Sequence, residues 1–178
     1  MNNVKDFSLR QAIINDIPAI WDIIYFAKEN MRIAGRTQWQ DGYPSIDNIR
    51  ADIRNDYGYV LTNQCNDILC YGAILPHNDE HYHTLEGGKW ITDGSSCIVI
   101  HRLAVNPSLS GKGLATAFIT LAEETFHKLG FKSLRIDTNF DNPQMLHIVE
   151  KLNFTKCGKV TLPTGERTAF ETILGKNL

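Results

Sequence analysis

The sequence is short of the features that would mark a special compartment or a charged partner. Its four cysteines, Cys65, Cys70, Cys97 and Cys157, form no CxxC pair, and all stand in or beside apolar, strand-like stretches. That predicts buried free thiols and speaks against a disulfide framework or a zinc site. Net charge is small, −2 with histidine neutral, so no basic surface is offered to nucleic acid or to an anionic membrane. No apolar run has the length needed to cross a bilayer. The opening stretch MNNVKDFSLRQA lacks the apolar core of a signal peptide, which predicts a cytoplasmic address. Repeats, low-complexity tracts and linkers are also missing. The 178 residues are therefore expected to form one domain, 1–178, large enough to bury its own core.

What is present is an alternation of strand and helix patterns. Phe7–Ala12 reads as a first strand. Asn15 and Asp16 can cap a first helix, and Pro18 suits its first turn. Ile17, Ile20, Trp21, Ile24, Ala27 and Met31 then recur at helical spacing up to Gly35. Ser45 reads as the N-cap of a second helix with Ile46, Ile49 and Ile53 on one face. Tyr57–Thr62 and Ile68–Leu75 form a strand pair around the turn NQCND. Pro76–Ser96 is a long polar loop, of the kind that is functional or mobile. Cys97–Val105 is a fourth strand. A helix from Leu114 to Leu129 comes after it, then a fifth strand from Ser133, most simply parallel to the fourth. Asn142 and Pro143 open a last helix, with Met145, Leu146, Val149 and Leu152 inward. Phe154–Leu162 and Arg167–Leu174 make a final hairpin around PTGE.

The stretch Ile98–Leu129 joins an apolar strand, a loop bearing Gly111 and Gly113, and an amphipathic helix. Free N–H groups and the positive dipole end of such a helix suit a phosphate. A magnesium-nucleotide loop is excluded, because Lys112 is followed by Gly113 rather than Ser or Thr and the upstream glycine is missing. A dinucleotide turn fits poorly, since Thr116 stands where its third glycine belongs. A plain turn with two glycines remains open on these residues alone.

The wider text, HRLAV, NPSLSGKGLAT, SLRIDTN and NPQMLHIVEKLNF, resembles the GNAT superfamily of acyl-CoA-dependent N-acyltransferases. The family signature is Gln or Arg, two residues, Gly, one residue, then Gly or Ala. It falls on Ser110, Gly111, Lys112, Gly113, Leu114 and Ala115. The family's late helix, opening with Asn and closing in a KLGF-like tail, falls on Asn142 and on Lys151–Phe154. The resemblance implies an α/β (α+β) three-layer domain: a mixed sheet of about six to seven strands, helices on both faces, splayed between strands four and five. It implies acetyl-CoA as acyl donor and transfer of the acetyl group to a primary amine by direct attack. The acceptor is then a small molecule or peptide, and many relatives pair as homodimers. Pyrophosphate would lie on the loop and helix start, Ser110 to Thr116. Pantetheine would pair with the backbone of Leu103, Ala104 and Val105, beside Asn142 and Met145.

Two positions depart from the family. Ser110 replaces the long first donor, with Lys112 as a compensating point charge. Val149 replaces the Tyr that often protonates the leaving thiolate. A thiol pKa near ~8.5 lets thiolate leave without help, yet the two changes also fit a noncatalytic acyl-CoA-binding module.

The chemistry needs a base for the amine proton, and histidine suits it. Strict alternation puts His101 on one face with Val99, Leu103 and Val105, and some family members carry a catalytic Glu or His there. His101 is thus either the general base or a satisfied strand histidine. Arg102, on the other face, is expected in a structural ion pair. Asp137 and Asn139 at the end of the fifth strand would orient an amine, or Asp137 would cap the neighbouring loop. Trp39, Gln40, Asp41 and Tyr43 fall on the loop that lines the acceptor site in the family, where aromatics and a carboxylate suit a cation; equally, Trp39 and Tyr43 would be packed anchors. Glu86 and Asp93 are lesser candidates. His77, His81 and His83 beside Asp79 and Glu80 match no strong ligand spacing, the segment reads as surface loop, and no metal is expected.

Overall fold

The computed structural model describes residues 6–77 and 79–175. Residues 1–5, part of the stretch behind the cytoplasmic expectation, lie outside them. Among the described residues, eight strands and four α-helices occur in chain order: β1 Ser8–Gln11, α1 Ile17–Ile33, α2 Ile46–Arg54, β2 Gly58–Thr62, β3 Ile68–Leu75, β4 Leu85–Glu86, β5 Cys97–Val105, α3 Leu114–Lys128, β6 Ser133–Thr138, α4 Pro143–Lys151, β7 Thr155–Leu162 and β8 Gly165–Ile173. The strands form one mixed sheet in the order β1-β2-β3-β5-β6-β8-β7-β4. The chain divides into two compact units, residues 1–74 with 102–122 and residues 75–101 with 123–178. The crossings fall inside β3, β5 and α3, where there is no linker.

In the first unit, β1, β2 and β3 pair antiparallel. β5 adjoins β3, where Asn106 N–H donates to the Leu69 carbonyl at 2.9 Å. Ile17, Ile20, Ile23 and Ile24 of α1 meet Ile49 and Ile53 of α2 over Val60, Tyr71 and Ala104. The helical spacing of those isoleucines makes the two helices amphipathic and seats them on one face. On the opposite face a Cβ on Gly72 would come 2.8 Å from the Phe118 ring of α3, so the bare backbone there lets α3 approach. Ser45 caps α2, accepting the Asn48 N–H at 3.3 Å. Asp16 does not cap with its side chain; it pairs with Arg10 at 2.7 Å. Gly35, at φ 70°, closes α1, with Arg36 N–H bonded back to Met31 at 2.9 Å.

In the second unit, the first half of β5 runs parallel to β6, from Cys97↔Ser133 to Ile100↔Ile136. β6 pairs antiparallel with β8, and β8 with β7. Residues 76–96 are not a structureless loop. They hold a helical turn at Glu80–His83 and the short strand β4, which pairs with β7 through Leu85↔Val160 and Glu86↔Lys159. That strand raises the count above the expected six to seven. Gly158 permits it, since a Cβ there would lie 2.5 Å from the Glu86 carbonyl oxygen. The hairpin turn is tighter than PTGE, because Leu162 already pairs with Gly165. Cys70, Cys97 and Cys157 are buried free thiols as expected, whereas Cys65 is exposed.

The core of this unit contains a buried ion pair. Arg135 and Glu171 keep only 1% and 0% of their side-chain surface and meet at 3.1 Å. Glu171 also accepts Ile91 N–H at 2.5 Å, Thr92 N–H at 3.2 Å and the Thr92 hydroxyl at 2.6 Å. Glu171→Gln removes one charge and leaves the other buried, which should cost ~3–5 kcal/mol of stability in denaturant unfolding. Glu123 of α3 carries a different liability. Burial, then the neighbouring Glu124, pushes its carboxyl up to about 7. The folded pKa is thus above the unfolded value of ~4.3, so the protonated form's contribution is complete below that value and is lost as pH rises through about 7. Glu123→Gln should raise stability at pH ~8 by ~1–2 kcal/mol, after discounting for partial exposure. It should also flatten the slope of melting temperature against pH between ~4 and ~7.

Candidate functional site

The first unit holds the glycine loop. After β5, Asn106 Oδ1 accepts the Ser108 N–H at 3.1 Å and its hydroxyl at 2.7 Å, folding Pro107–Leu109 into a helical turn. Gly111 and Gly113 come next at φ 78° and 75°, a region where other residues are strained. A Cβ at either would meet nothing within 4 Å, and Ser110 to Gly113 are exposed. Ala117 N–H donates to the Gly113 carbonyl at 2.9 Å. The N–H groups of Leu114, Ala115 and Thr116 precede that bond and point out of the helix start. Lys112 adds an exposed cation.

The same unit shows what Arg102 does. Its guanidinium grips Asp52 with Nε at 2.9 Å and Nη2 at 2.5 Å, and Nη1 donates to the Tyr43 hydroxyl at 2.6 Å. Tyr71 completes the set, donating to Asp52 at 2.6 Å. The expected ion-pair role of Arg102 is thus met. Its backbone, at φ 55°, was not foreseen. A left-handed residue in a strand interrupts regular pleating, so the face of His101 cannot be counted through Arg102 to Leu103 and Val105. Leu103 lies toward Phe118 and Gly72, while Ala104 joins the α1–α2 core. Trp39 is buried in that core at 8% exposure, and Tyr43 packs against it, so both are anchors of their loop. Gln40 donates to the Lys28 carbonyl at 3.1 Å, and Asp41 is exposed.

The second unit gathers the titratable groups. Cys97, Val99 and His101 alternate on β5 beside Ser133, Arg135 and Asp137 on β6. The ladder ends at Ile100↔Ile136, while β5 runs on to Val105 and β6 to Thr138. His101 Nε2 lies 3.0 Å from Asp79 Oδ2, and Nδ1 lies 3.6 Å from Asp137 Oδ1. Tyr82 donates its hydroxyl to that Asp137 oxygen at 2.6 Å. The Tyr82 ring stacks on Trp90 at 5.2 Å and meets the His101 ring edge-on at 6.0 Å. Trp90 Nε1 donates to the Tyr82 carbonyl at 2.9 Å, and Arg135 covers the Trp90 ring at 4.1 Å.

These contacts set the charges. Burial, the charge of Asp137 and its hydrogen bond raise Tyr82 well above an ordinary phenol. Burial pushes the Asp79 carboxyl up, but hydrogen bonds from His101 and from the amide and ring of His81 hold it well below the usual range. Asp79 thus stays ionised at neutral pH.

The structure therefore joins His101 and Asp137, which sequence reasoning treated separately, and adds Asp79, weighed there only as a metal neighbour, and Tyr82, which it missed. The only signal was an Asp and a Tyr within a His-rich segment, and that pattern pointed to surface. Asp137 accepts a tyrosine hydroxyl rather than a loop amide. Asn139 is buried at 6% exposure, and its Oδ1 has no hydrogen-bond partner among the described residues; the same holds for Thr138 Oγ1 and Asp141 Oδ1. Asn142 caps α4, accepting Met145 N–H at 3.2 Å, and Met145 is half-buried on its first turn. Val149 is buried at 1% exposure. Glu86 is exposed, and Asp93 accepts the Ser95 N–H at 2.9 Å. No group of His, Cys, Asp and Glu able to hold a metal occurs among the described residues, nor any helix long and apolar enough to cross a membrane.

Comparison with known proteins bears directly on this geometry. No curated protein matches the chain. Among solved structures, a GNAT-family acetyltransferase from Streptococcus agalactiae 2603 is 34% identical, with a TM-score of 0.87 over 96% of both chains. A GNAT-family acetyltransferase from Listeria monocytogenes shares the fold at 20% identity, with a TM-score of 0.74 over 94% of this chain and 95% of its own. So does a Vibrio cholerae spermidine N-acetyltransferase in complex with CoA and spermine, at 15% identity and a TM-score of 0.68 over 97% and 98%. The model of the Acetyltransferase (GNAT) family matches residues 20–154, taking in the glycine loop, His101 and α4, and the chain belongs to that family.

Proposed function

We propose that the protein transfers an acetyl group from acetyl-CoA to a primary amine of a small molecule or peptide by direct attack, with His101 as general base. The observation that carries the reading is the setting of the His101 imidazole: half-buried, edged by Tyr82, with Asp79 at one ring nitrogen and Asp137 near the other. Amide formation needs a neutral amine and somewhere for its second proton to go. An imidazole between two carboxylates accepts that proton, and the carboxylates stabilise the cation that forms.

The chain's own groups suggest the cosubstrate's place. Gly111 and Gly113 leave open backbone, the amides of Leu114, Ala115 and Thr116 offer donors, and Lys112 offers charge. Together these fit a pyrophosphate, with Ser110 as a short added donor. Leu103, Ala104 and Val105 offer backbone groups to the pantetheine amides. Asn142 Nδ2 is outside the capping bond, which uses Oδ1, and with Met145 it completes the pantetheine contacts in this proposal. Asn139 Oδ1 and Asp137 are buried acceptors suited to an N–H of the amine. Trp39 and Tyr43 shape the acceptor loop from beneath as packed anchors. The cytoplasmic address belongs to the same reading. The Vibrio protein of the same fold is a spermidine N-acetyltransferase in complex with CoA and spermine, which supports an amine acceptor.

One observation favours a second reading. Val149 is apolar and buried where a proton donor often stands in the family, which suits a module that binds acyl-CoA without turning it over. Thiol release from acetyl-CoA with a panel of amines, beside calorimetric titration of acetyl-CoA, separates the two. Turnover on at least one primary amine is expected; tight binding with no turnover on any acceptor would sink the enzyme reading. His101→Ala should lower kcat by ~10²–10⁴-fold while the acetyl-CoA Kd stays within about twofold. Unchanged turnover and an unchanged pH–rate profile would show that another group is the base.

A further inference from the structure

Asp79 stands in the polar stretch between β3 and β5, yet each of its oxygens is engaged. Oδ1 accepts the His81 N–H at 2.8 Å and faces the His81 ring Nδ1 at 2.8 Å. Oδ2 is left to His101 Nε2 at 3.0 Å. An ionised carboxylate can only accept, so the hydrogen of that bond sits on Nε2. A neutral imidazole has one N–H, so Nδ1 must carry the lone pair. Asp137 does not compete for that arrangement. Its Oδ1 is 3.6 Å from Nδ1, beyond hydrogen-bond distance, and is already taken by the Tyr82 hydroxyl. The titratable groups facing the imidazole are thus Asp79 and Tyr82 from the 76–96 segment and Asp137 from β6, with His81 on the far side of Asp79.

We infer that Asp79 is a positioning residue for acetyl transfer: it holds His101 in the Nε2–H tautomer and leaves Nδ1 as the basic nitrogen. The inference rests on His101 being the base. In the step it serves, the amine nitrogen attacks the thioester carbonyl carbon. The C–N bond forms, the C–S bond breaks, and the bonding pair leaves with sulfur. The amine proton passes to Nδ1. Amide, thiolate and imidazolium result, the negative and positive charges balancing. The imidazolium then has Asp79 at Nε2 and Asp137 near Nδ1. Without a carboxylate at Nε2 the ring is free to turn or change tautomer, and the cation loses the nearer of its two carboxylates.

Long-range nitrogen–proton NMR of the histidine-labelled protein reads the tautomer directly, at a pH above the imidazole titration, with His101→Gln identifying the signals. The expected pattern is a protonated Nε2 and a bare Nδ1. Asp79→Asn should lower kcat by ~10–10³-fold, leave KM for acetyl-CoA within about twofold, and move the acid limb of the pH–rate profile to lower pH. Asp79→Glu should recover part of the loss. A wild-type Nδ1–H tautomer overturns the inference, whether or not the variants fold. So does an Asp79→Asn enzyme with unchanged kcat and acid limb. Loss of activity in His101→Ala with a wild-type Nδ1–H tautomer would remove Asp79 and keep the base. An inert His101→Ala change would remove the base and Asp79's role with it.

Discussion

The contact on which the second unit most depends is the buried pair of Arg135 and Glu171. Neither charge reaches solvent, so each is tolerable only because the other is present and their remaining hydrogen-bonding groups are used. Glu171 spends them on Ile91 and Thr92, and Arg135 Nη2 donates to the Thr92 carbonyl at 2.7 Å. That ties the end of the 76–96 segment to the sheet. The Arg135 guanidinium also covers Trp90, which stacks on Tyr82, which in turn holds Asp137 beside His101. An ion pair in the core thus fixes the side chains around the titratable histidine.

The histidine's setting is electrostatic as much as steric. Two carboxylates flank one imidazole, and a buried phenol that resists ionisation donates to one of them. Such a setting places a carboxylate near each nitrogen of the ring. It also draws on the 76–96 segment, which supplies Asp79 and Tyr82.

One residue further along β5, the protein uses charge differently. Arg102 takes a left-handed backbone conformation, costly for a residue with a Cβ. The bidentate grip on Asp52 and the bond to Tyr43 offset that cost and tie β5 to α2 and to the loop before it. Neighbouring residues of one strand therefore do separate work, His101 holding a titratable ring and Arg102 fastening the framework.

The sequence by itself determined the elements and the family. Hydrophobic period and cap residues such as Ser45, Pro18, Gly35 and Asn142 act within a few residues of chain, so α1, α2, α4 and most strands were legible. The glycine loop and its flanks were legible for the same reason, being a local pattern that resembles GNAT proteins. What only the tertiary structure decided were the contacts made across long stretches of chain. Strand β4 exists because Gly158 lets the backbone of Glu86 approach β7. Asp79 and Asp137 meet at His101 through docking of a segment whose composition reads as surface. The left-handed backbone of Arg102 comes with an ion pair to Asp52, fifty residues away in sequence. Local propensity carries no record of such pairings, because their stabilisation comes from burial and charge that exist only once the chain has folded.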